Sequence, residues 1–109
     1  VLPSIEAETN TYSEDSNVVF GVWWINDHPR AFRDAELSWE LLNSQDQALE
    51  GAATMVHLRP DDARRVLQAG PFSLPAGAYR LVAQIRHDGQ LLGINEWKFQ
   101  VRGAAAAEK

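Results

Sequence analysis

The sequence predicts an all-β fold, an immunoglobulin-like β-sandwich of about seven antiparallel strands, from three observations. Short segments with period-2 hydrophobic alternation recur along the chain, separated by turn residues about every eight to twelve positions. No segment carries a long, convincing helical period. Tyr79 follows the corner Pro75-Ala76-Gly77 at the start of the most regular strand. This is the layout of a tyrosine corner, which is typical of such sandwiches.

The strands are assigned in chain order from this alternation. They are expected over residues 4–12, 17–26, 35–43, 48–53, 54–59, 79–86 and 91–102. The segment 17–26 is the most apolar and is expected to be central. Asp88-Gly89 is expected to close a hairpin between the last two strands, because both central residues of such a turn need positive φ.

Residues 60–70 are compatible with two structures. Acidic residues at the start, apolar Val66 and Leu67, and a closing Gly70 are helix start and stop signals. The surrounding β-pattern favours a strand instead. The strand is preferred, and one or two helical turns remain the alternative.

The expected core follows from shared strand phase. Its members are large apolar side chains that alternate with polar residues: Leu37, Trp39, Leu41, Tyr79, Leu81, Ile85, Trp97 and Phe99. The chain has no cysteine, so a disulfide framework and a thiolate metal site are excluded, and packing alone must join the sheets.

Length and composition predict one domain over residues 1–102, followed by an alanine-rich linker or disordered tail over 103–109. The net charge is −5 and the basic residues are scattered, which argues against a nucleic-acid partner. No apolar run approaches membrane-spanning length, which argues against a membrane partner. The chain lacks an initiator Met and a targeting signal, so we expect a fragment of a longer chain, with the cellular compartment left open.

Catalytic and metal-binding patterns are not found. The three histidines, His28, His57 and His87, lack ligand spacing, and the carboxylates fall in turns or at strand ends. There is no nucleophile elbow, phosphate loop or catalytic cysteine. We therefore expect no enzymatic activity, metal or cofactor in this chain.

The pair Trp23-Trp24 is the strongest functional signal. Adjacent strand residues face opposite sides, so one of the two rings must leave the core. Trp24 shares phase with Val18, Phe20 and Val22 and is expected inside, which leaves Trp23 outside. An outward Trp could anchor another domain or stack on a sugar ring.

Three polar residues are candidates for a glycan contact beside Trp23. They are Asn26, Arg30 and Glu96. For Asn26 a turn-starting cap is the preferred alternative, because Asn in a strand is unfavourable unless its side chain bonds backbone.

With these residues in view, the chain resembles the immunoglobulin-like accessory domains of family 2 glycoside hydrolases and their β-mannosidase relatives. The matching segments are Val22-Trp23-Trp24-Ile25-Asn26-Asp27, Leu37-Ser38-Trp39-Glu40-Leu41-Leu42, Leu74-Pro75-Ala76-Gly77-Ala78-Tyr79-Arg80-Leu81 and Asn95-Glu96-Trp97-Lys98-Phe99. The resemblance covers about residues 17–102. In such enzymes the catalytic glutamates lie in a separate (β/α)₈ barrel, so the resemblance transfers no catalytic residue to this chain.

The resemblance implies a non-catalytic domain that packs against the barrel or a neighbouring sandwich of a larger hydrolase. The alternative is an autonomous carbohydrate- or protein-binding module. An apolar patch around Trp23 favours the first, and a ring of hydrogen-bonding groups around it favours the second.

Overall fold

The fold was analysed in a computed structural model, which describes residues 2–7, 9–14, 16–26, 30–60 and 62–103. Within these ranges the chain forms eight strands and no helix. The strands are β1 (Leu2–Glu6), β2 (Thr11–Ser13), β3 (Val18–Asn26), β4 (Phe32–Asn43), β5 (Ala48–Leu58), β6 (Asp62–Phe72), β7 (Gly77–His87) and β8 (Gln90–Arg102).

The strands form two sheets that pack as a sandwich. The smaller sheet has the order β1-β3-β6 and the larger has the order β2-β8-β7-β4-β5. All pairs are antiparallel except β2 with β8, which is parallel. The predicted all-β sandwich is confirmed, with eight strands in the described ranges where about seven were expected.

Two strand assignments differ from the expectation, and the strand preferred for a third segment is confirmed. The first expected strand divides at the bend of Asn10 into β1 and β2, which pair in different sheets. The two weak strands over 48–59 are the single strand β5, and the ambiguous segment after Pro60 is the strand β6. Of the expected tail, residues 104–109 lie outside the described part of the chain.

The core lies between the sheets and follows the predicted alternation. Inward residues of β4 and β7 are buried, including Leu37, Leu41, Leu81 and Ile85. On β3 the buried apolar residues are Val18, Phe20, Val22 and Trp24. Burial of these side chains removes apolar surface from water, which is the main stabilising term for a sandwich without disulfides.

Trp97 is the exception among the expected core residues. It packs against the core but is only half-buried. The neighbouring strand β2 is short and pairs only with Gln100, Val101 and Arg102 of β8. Trp97 therefore lies where β8 itself is the margin of the sheet, and nothing in the described chain extends the sheet beyond it.

Both predicted turns are present. The Tyr79 hydroxyl donates a hydrogen bond of 2.7 Å to the Pro75 carbonyl, four residues upstream, which is the tyrosine corner. Asp88 and Gly89 have φ of 51° and 77°, as a tight hairpin turn between β7 and β8 requires.

Candidate functional site

Trp23 lies on the outer face of the smaller sheet. Its neighbour Trp24 is 1% exposed in the core, so Trp23 points away from the core and is half-buried. Val19 and Ile25 have the same strand phase as Gly21 and Trp23. Their side chains are 36% and 39% exposed. The outer face of β3 is thus an apolar stripe of Val19, Trp23 and Ile25.

The strands on either side of β3 place mixed residues next to this stripe. Ser4 of β1 is directly opposite Trp23, and the exposed Glu6 is opposite Gly21. On the other side, the exposed Gln68 of β6 is opposite Gly21. The side chains at 62–67 of β6 lie outside the described set, as do the turn residues Asp27, His28 and Pro29.

Asn26, at the end of β3, has a structural position. It is completely buried, and its Nδ2 donates hydrogen bonds to the carbonyls of Arg30 at 3.0 Å and Arg59 at 2.9 Å. The side chain thereby joins the end of β3 to the segments that precede β4 and follow β5. Both of its amide protons are used within the chain, which fits the cap alternative and leaves no donor for a sugar.

Arg30 lies at the surface after the turn. Its guanidinium carbon is 4.7 Å from the centre of the Phe32 ring, a cation–π contact. Arg30 meets Asn26 through its backbone carbonyl rather than through its guanidinium. Asn26 and Arg30 are therefore in contact, but this contact closes the turn after β3.

Glu96 lies on the outer face of the larger sheet. Phe99 and Val101 of β8 point into the core, so Glu96 and Lys98 point outward on the other side of the strand. The outer faces of the two sheets are the opposite sides of the sandwich. Glu96 is therefore separated from Trp23 by the core, and the four candidate residues do not form one site.

Glu96 belongs instead to an ion-pair network centred on Arg80 of β7. Arg80 Nη1 is 2.7 Å from Glu96 Oε2, and Arg80 Nη2 is 2.8 Å from Asp46 Oδ1 in the turn between β4 and β5. Lys98 Nζ is 3.7 Å from Glu96 Oε1. The hydrogen bond to Glu96 raises the pKa of Arg80 above its ordinary value, with partial desolvation opposing it and the charge of Asp46 adding to it.

The network lines an open groove of about 740 Å³ on the larger sheet. Its walls combine the β4–β5 turn, the start of β7 and the end of β8, and include Asn43, Asp46, Arg80, Glu96, Lys98 and Gln100. The groove offers both hydrogen-bond donors and hydrogen-bond acceptors. Its aromatic lining residues, Tyr79 and Phe99, are buried, so they present no open ring face to a ligand.

Sequence reasoning identified Glu96 but not its partners. The alternation on β7 placed Arg80 outward, yet Asp46 is thirty-four residues away in a turn. The pairing of β4 with β7 places Leu42 opposite Arg80. This pairing brings the β4–β5 turn, which contains Asp46, next to Arg80. Strand order, which the sequence did not specify, was the missing information.

The described residues contain neither a metal-binding cluster nor a membrane-spanning helix. Among those residues no three histidine or acidic side chains gather in a way that could hold a metal ion. His87 Nδ1 and Asp88 Oδ2 are 3.6 Å apart, but they are neighbours in the hairpin. No helix long and apolar enough to cross a bilayer occurs in the same part of the chain.

No family model and no curated protein matches the chain. Among solved structures it is similar to a β-glucuronidase of glycoside hydrolase family 2, with a TM-score of 0.65 and 14% identity over 94% of this chain. It is also similar to β-glucuronidase 2 of Bacteroides uniformis, with a TM-score of 0.64 and 17% identity over 88% of this chain. A β-glucosidase from Erythrobacter marinus gives a TM-score of 0.59 and 15% identity over 94%.

These similarities establish the fold. The chain spans only 11%, 12% and 15% of the lengths of those three proteins. The first two are both β-glucuronidases, so the similarity does not single out the β-mannosidases.

Proposed function

We propose that this chain is an immunoglobulin-like, non-catalytic accessory domain of a larger glycoside hydrolase, and that the apolar stripe on β3 packs against a neighbouring domain. The observation that carries the proposal is the surroundings of Trp23. Trp23 lies in a row with Val19 and Ile25, and two of the three polar residues expected beside it are not available on this face. Asn26 is buried, and Glu96 is on the opposite side of the sandwich.

The fold similarity supports the same function. Each of the similar enzymes contains this sandwich as a small part of a much longer chain. Fold alone does not define function, so the apolar stripe on β3 is needed as a second support. An apolar row of three side chains with polar residues such as Ser4, Glu6 and Gln68 beside it is suited to a protein partner, because protein interfaces combine an apolar centre with a polar rim.

A paired stability measurement tests the proposal. Trp23→Ser should lower the melting temperature of the full-length parent chain more than that of the 109-residue chain. The reason is that the ring is only half-buried in the isolated domain and would be fully covered in the parent. Ile94→Ser is the matched control, since Ile94 is 50% exposed on the larger sheet.

Equal losses in the two chains would show that nothing covers the stripe, and the interdomain packing would be wrong. A parent chain without a glycoside hydrolase catalytic domain would overturn the proposed context.

The alternative function, a carbohydrate-binding module, is favoured by one observation, the groove around Arg80. Its amide, carboxylate and guanidinium groups are those that bind sugar hydroxyls. Titration with mannose, glucose, glucuronate and β-linked oligosaccharides, followed by tryptophan fluorescence and calorimetry, tests this function. Saturable binding abolished by Glu96→Gln would favour the groove, and binding abolished by Trp23→Ala would favour a sugar platform on β3.

A further inference from the structure

The outer face of the larger sheet carries a second depression beside the Arg80 groove. It has a volume of about 380 Å³ and lies over the middle of β4, β5 and β7. Its lining includes the polar residues Ser38, Glu40 and Gln84 and the apolar residue Val82. These residues alternate with the buried core residues of β4 and β7, so their side chains point outward.

The depression exists because β5 contributes small residues at this place. Ala53 is opposite Ser38, and Gly51 is opposite Glu40. A Cβ atom at Gly51 would lie 2.9 Å from the Trp39 carbonyl oxygen, so a larger residue would not fit without a shift of the backbone. Ser38 and Glu40 therefore border an open space on the side of β5.

The two depressions adjoin along β7. Arg80 lines the first, and Val82 and Gln84 line the second. The three residues have the same strand phase, and Arg80 and Gln84 are four positions, about 13 Å, apart. The pairing of β7 with β4 and β8 is regular over this stretch. The depressions thus form one continuous surface that is longer than a single pyranose ring, which we call the β7 trough.

Two carboxylates form the walls at the centre of the β7 trough. Val82 is directly opposite Glu40 of β4 on one side and Glu96 of β8 on the other. Neighbouring strands are about 4.8 Å apart, so the Cα atoms of the two glutamates are about 10 Å apart across the floor. Val82 is half-buried and supplies a small apolar floor between hydrogen-bond acceptors.

The hydrogen-bonding groups are fixed at one end of the trough and free at the other. Glu96 is held by Arg80, with 2.7 Å between Oε2 and Nη1. Ser38, Glu40 and Gln84 form no side-chain hydrogen bond or ion pair with any residue of the described chain. Ser38 and Gln84 are nevertheless half-buried. Their hydroxyl and amide groups can both donate and accept hydrogen bonds and are available to a ligand.

The charges of the trough favour a neutral ligand. In the described chain three carboxylates and two cations line it: Glu40, Asp46, Glu96, Arg80 and Lys98. The excess negative charge repels an anion. Arg80 is already paired with Glu96 and Asp46, so its guanidinium is not free to bind a phosphate or a carboxylate.

A sugar chain matches this combination of groups. Each ring carries hydroxyl groups around its rim and C–H groups on its faces. The hydroxyl groups need acceptors and donors at the sides of the trough, and the C–H faces need apolar contact, which Val82 supplies at the centre. Ile94, opposite Gln84 on β8 and 50% exposed, adds apolar surface at that end.

We propose that the β7 trough binds a neutral glycan chain whose linked sugar units lie along β7 from Arg80 to Gln84. Glu40 and Glu96 accept hydrogen bonds from hydroxyl groups on the two sides of the chain, and Gln84 binds a further unit at one end. The inference extends the carbohydrate-binding function considered above from the Arg80 groove to a chain of sugars. It does not depend on interdomain packing, because the trough and the β3 stripe are on opposite sides of the sandwich.

Affinity electrophoresis of the 109-residue chain tests for binding. Each native gel contains one soluble polysaccharide: glucomannan, xylan, xyloglucan, mixed-linkage β-glucan, galactan or starch, with polygalacturonate as the anionic comparison. We expect a neutral polysaccharide to retard the chain more than polygalacturonate does. Retardation by none of the neutral polysaccharides, or stronger retardation by polygalacturonate, would overturn the proposal.

Calorimetry with oligosaccharides of the retained polysaccharide measures how far the site extends. Affinity should rise by about tenfold from the disaccharide to the tetrasaccharide, which corresponds to about 1.4 kcal/mol, because the longer chain reaches more of the trough. Equal affinities would indicate a site for a single short segment and would contradict a chain along β7.

Substitutions locate the site on the sheet. Glu40→Gln and Gln84→Ala should each weaken tetrasaccharide binding about tenfold, because each removes a hydrogen-bonding group or its charge. Glu36→Gln is the matched control and should bind normally, since Glu36 is exposed on the same face of β4 but does not line the trough. Circular dichroism verifies that each variant keeps its strands.

The outcome also separates this proposal from the carbohydrate-binding function on which it rests. Binding that is lost in Glu96→Gln but unchanged in Glu40→Gln and Gln84→Ala would confine the sugar to the Arg80 groove. The carbohydrate-binding function would then stand, and the extended trough would be wrong.

Discussion

At the scale of single residues, Tyr79 shows how a local motif is read directly from sequence. The corner Pro75-Ala76-Gly77 and the strand that follows predicted the hydrogen bond that the structure contains. Its ring also stacks on Phe99, with centroids 5.6 Å apart, so the residue joins a turn to the core. Motifs of this kind are predictable because all their parts lie within a few residues.

Tyr79→Phe should lower the free energy of unfolding by about 1 kcal/mol, the usual contribution of one neutral hydrogen bond. The phenylalanine ring keeps the stacking on Phe99, so only the hydroxyl is lost. Chemical denaturation with urea measures the difference. A loss above about 3 kcal/mol would mean that the variant also disturbs packing.

The same residue predicts a pH dependence. Burial raises the pKa of the Tyr79 phenol above its ordinary value of 10.0, because the charged form is disfavoured in the fold. The unfolded chain then loses this proton first. Stability is fully present below pH 10 and falls as the pH rises through the folded-state pKa. The decline should be shallower in Tyr79→Phe, as measured by unfolding at pH 8 to 11, and equal slopes would contradict it.

Asn26 illustrates a residue whose role depends on distant partners. The sequence favoured a cap, but the bond to the Arg59 carbonyl, thirty-three residues away, follows only from the fold. Asn26→Ala should cost about 1–3 kcal/mol, since two backbone carbonyls lose the buried side-chain donor whose hydrogen bonds they accept. Asn26→Asp should cost more, because a carboxylate would face the same two carbonyls. Thermal unfolding distinguishes the two variants, and a reversed order would contradict the assignment.

At the scale of elements, hydrophobic alternation predicted the strands and their inward faces well. Leu37, Leu41, Leu81 and Ile85 lie in the core as expected. The predictions were wrong where the position of a residue depends on which strands lie beside it. Trp97 has the phase of a core residue but lies at a sheet margin, and the first expected strand divides because its two ends pair with different sheets.

Trp39 links the two sheets, so its substitution measures how much this contact contributes to the free energy of unfolding. It is 6% exposed on β4 and meets Phe72 of β6 edge to face, with ring centroids 5.5 Å apart. Trp39→Ala should cost about 3–5 kcal/mol by urea unfolding. Ile94→Ala, on the exposed face, should change stability by less than about 0.5 kcal/mol. A loss below about 1 kcal/mol for Trp39 would contradict its place in the core.

The Arg80 network joins three elements across the surface of the larger sheet. Because the charges are partly exposed, salt should screen them. Arg80→Met should lower the melting temperature at low salt, and the difference should shrink at about 1 M NaCl. Lys98→Met is the control, since Lys98 is 80% exposed and should have little effect at either salt concentration. A difference independent of salt would mean that Arg80 acts through packing.

At the scale of the whole molecule, the fold was more predictable than the site. Strand phase and turns are local properties, whereas the grouping of Asp46, Arg80 and Glu96 requires the strand order. For the same reason, the candidate site residues chosen from sequence do not lie together. Trp23 and Glu96 are on opposite faces of the sandwich. The outward direction of Trp23 was predictable because its neighbour Trp24 shares phase with Val18, Phe20 and Val22, all within one strand.

The central claim is that a neighbouring domain of the parent chain covers the outer face of β3. Hydroxyl-radical footprinting measures this directly at Trp23, in the 109-residue chain and in the full-length parent. We expect Trp23 to be oxidised in the isolated domain and protected in the parent, while Met55 on β5 serves as an internal reference for reactivity in the isolated chain. Equal oxidation of Trp23 in both proteins would contradict the claim.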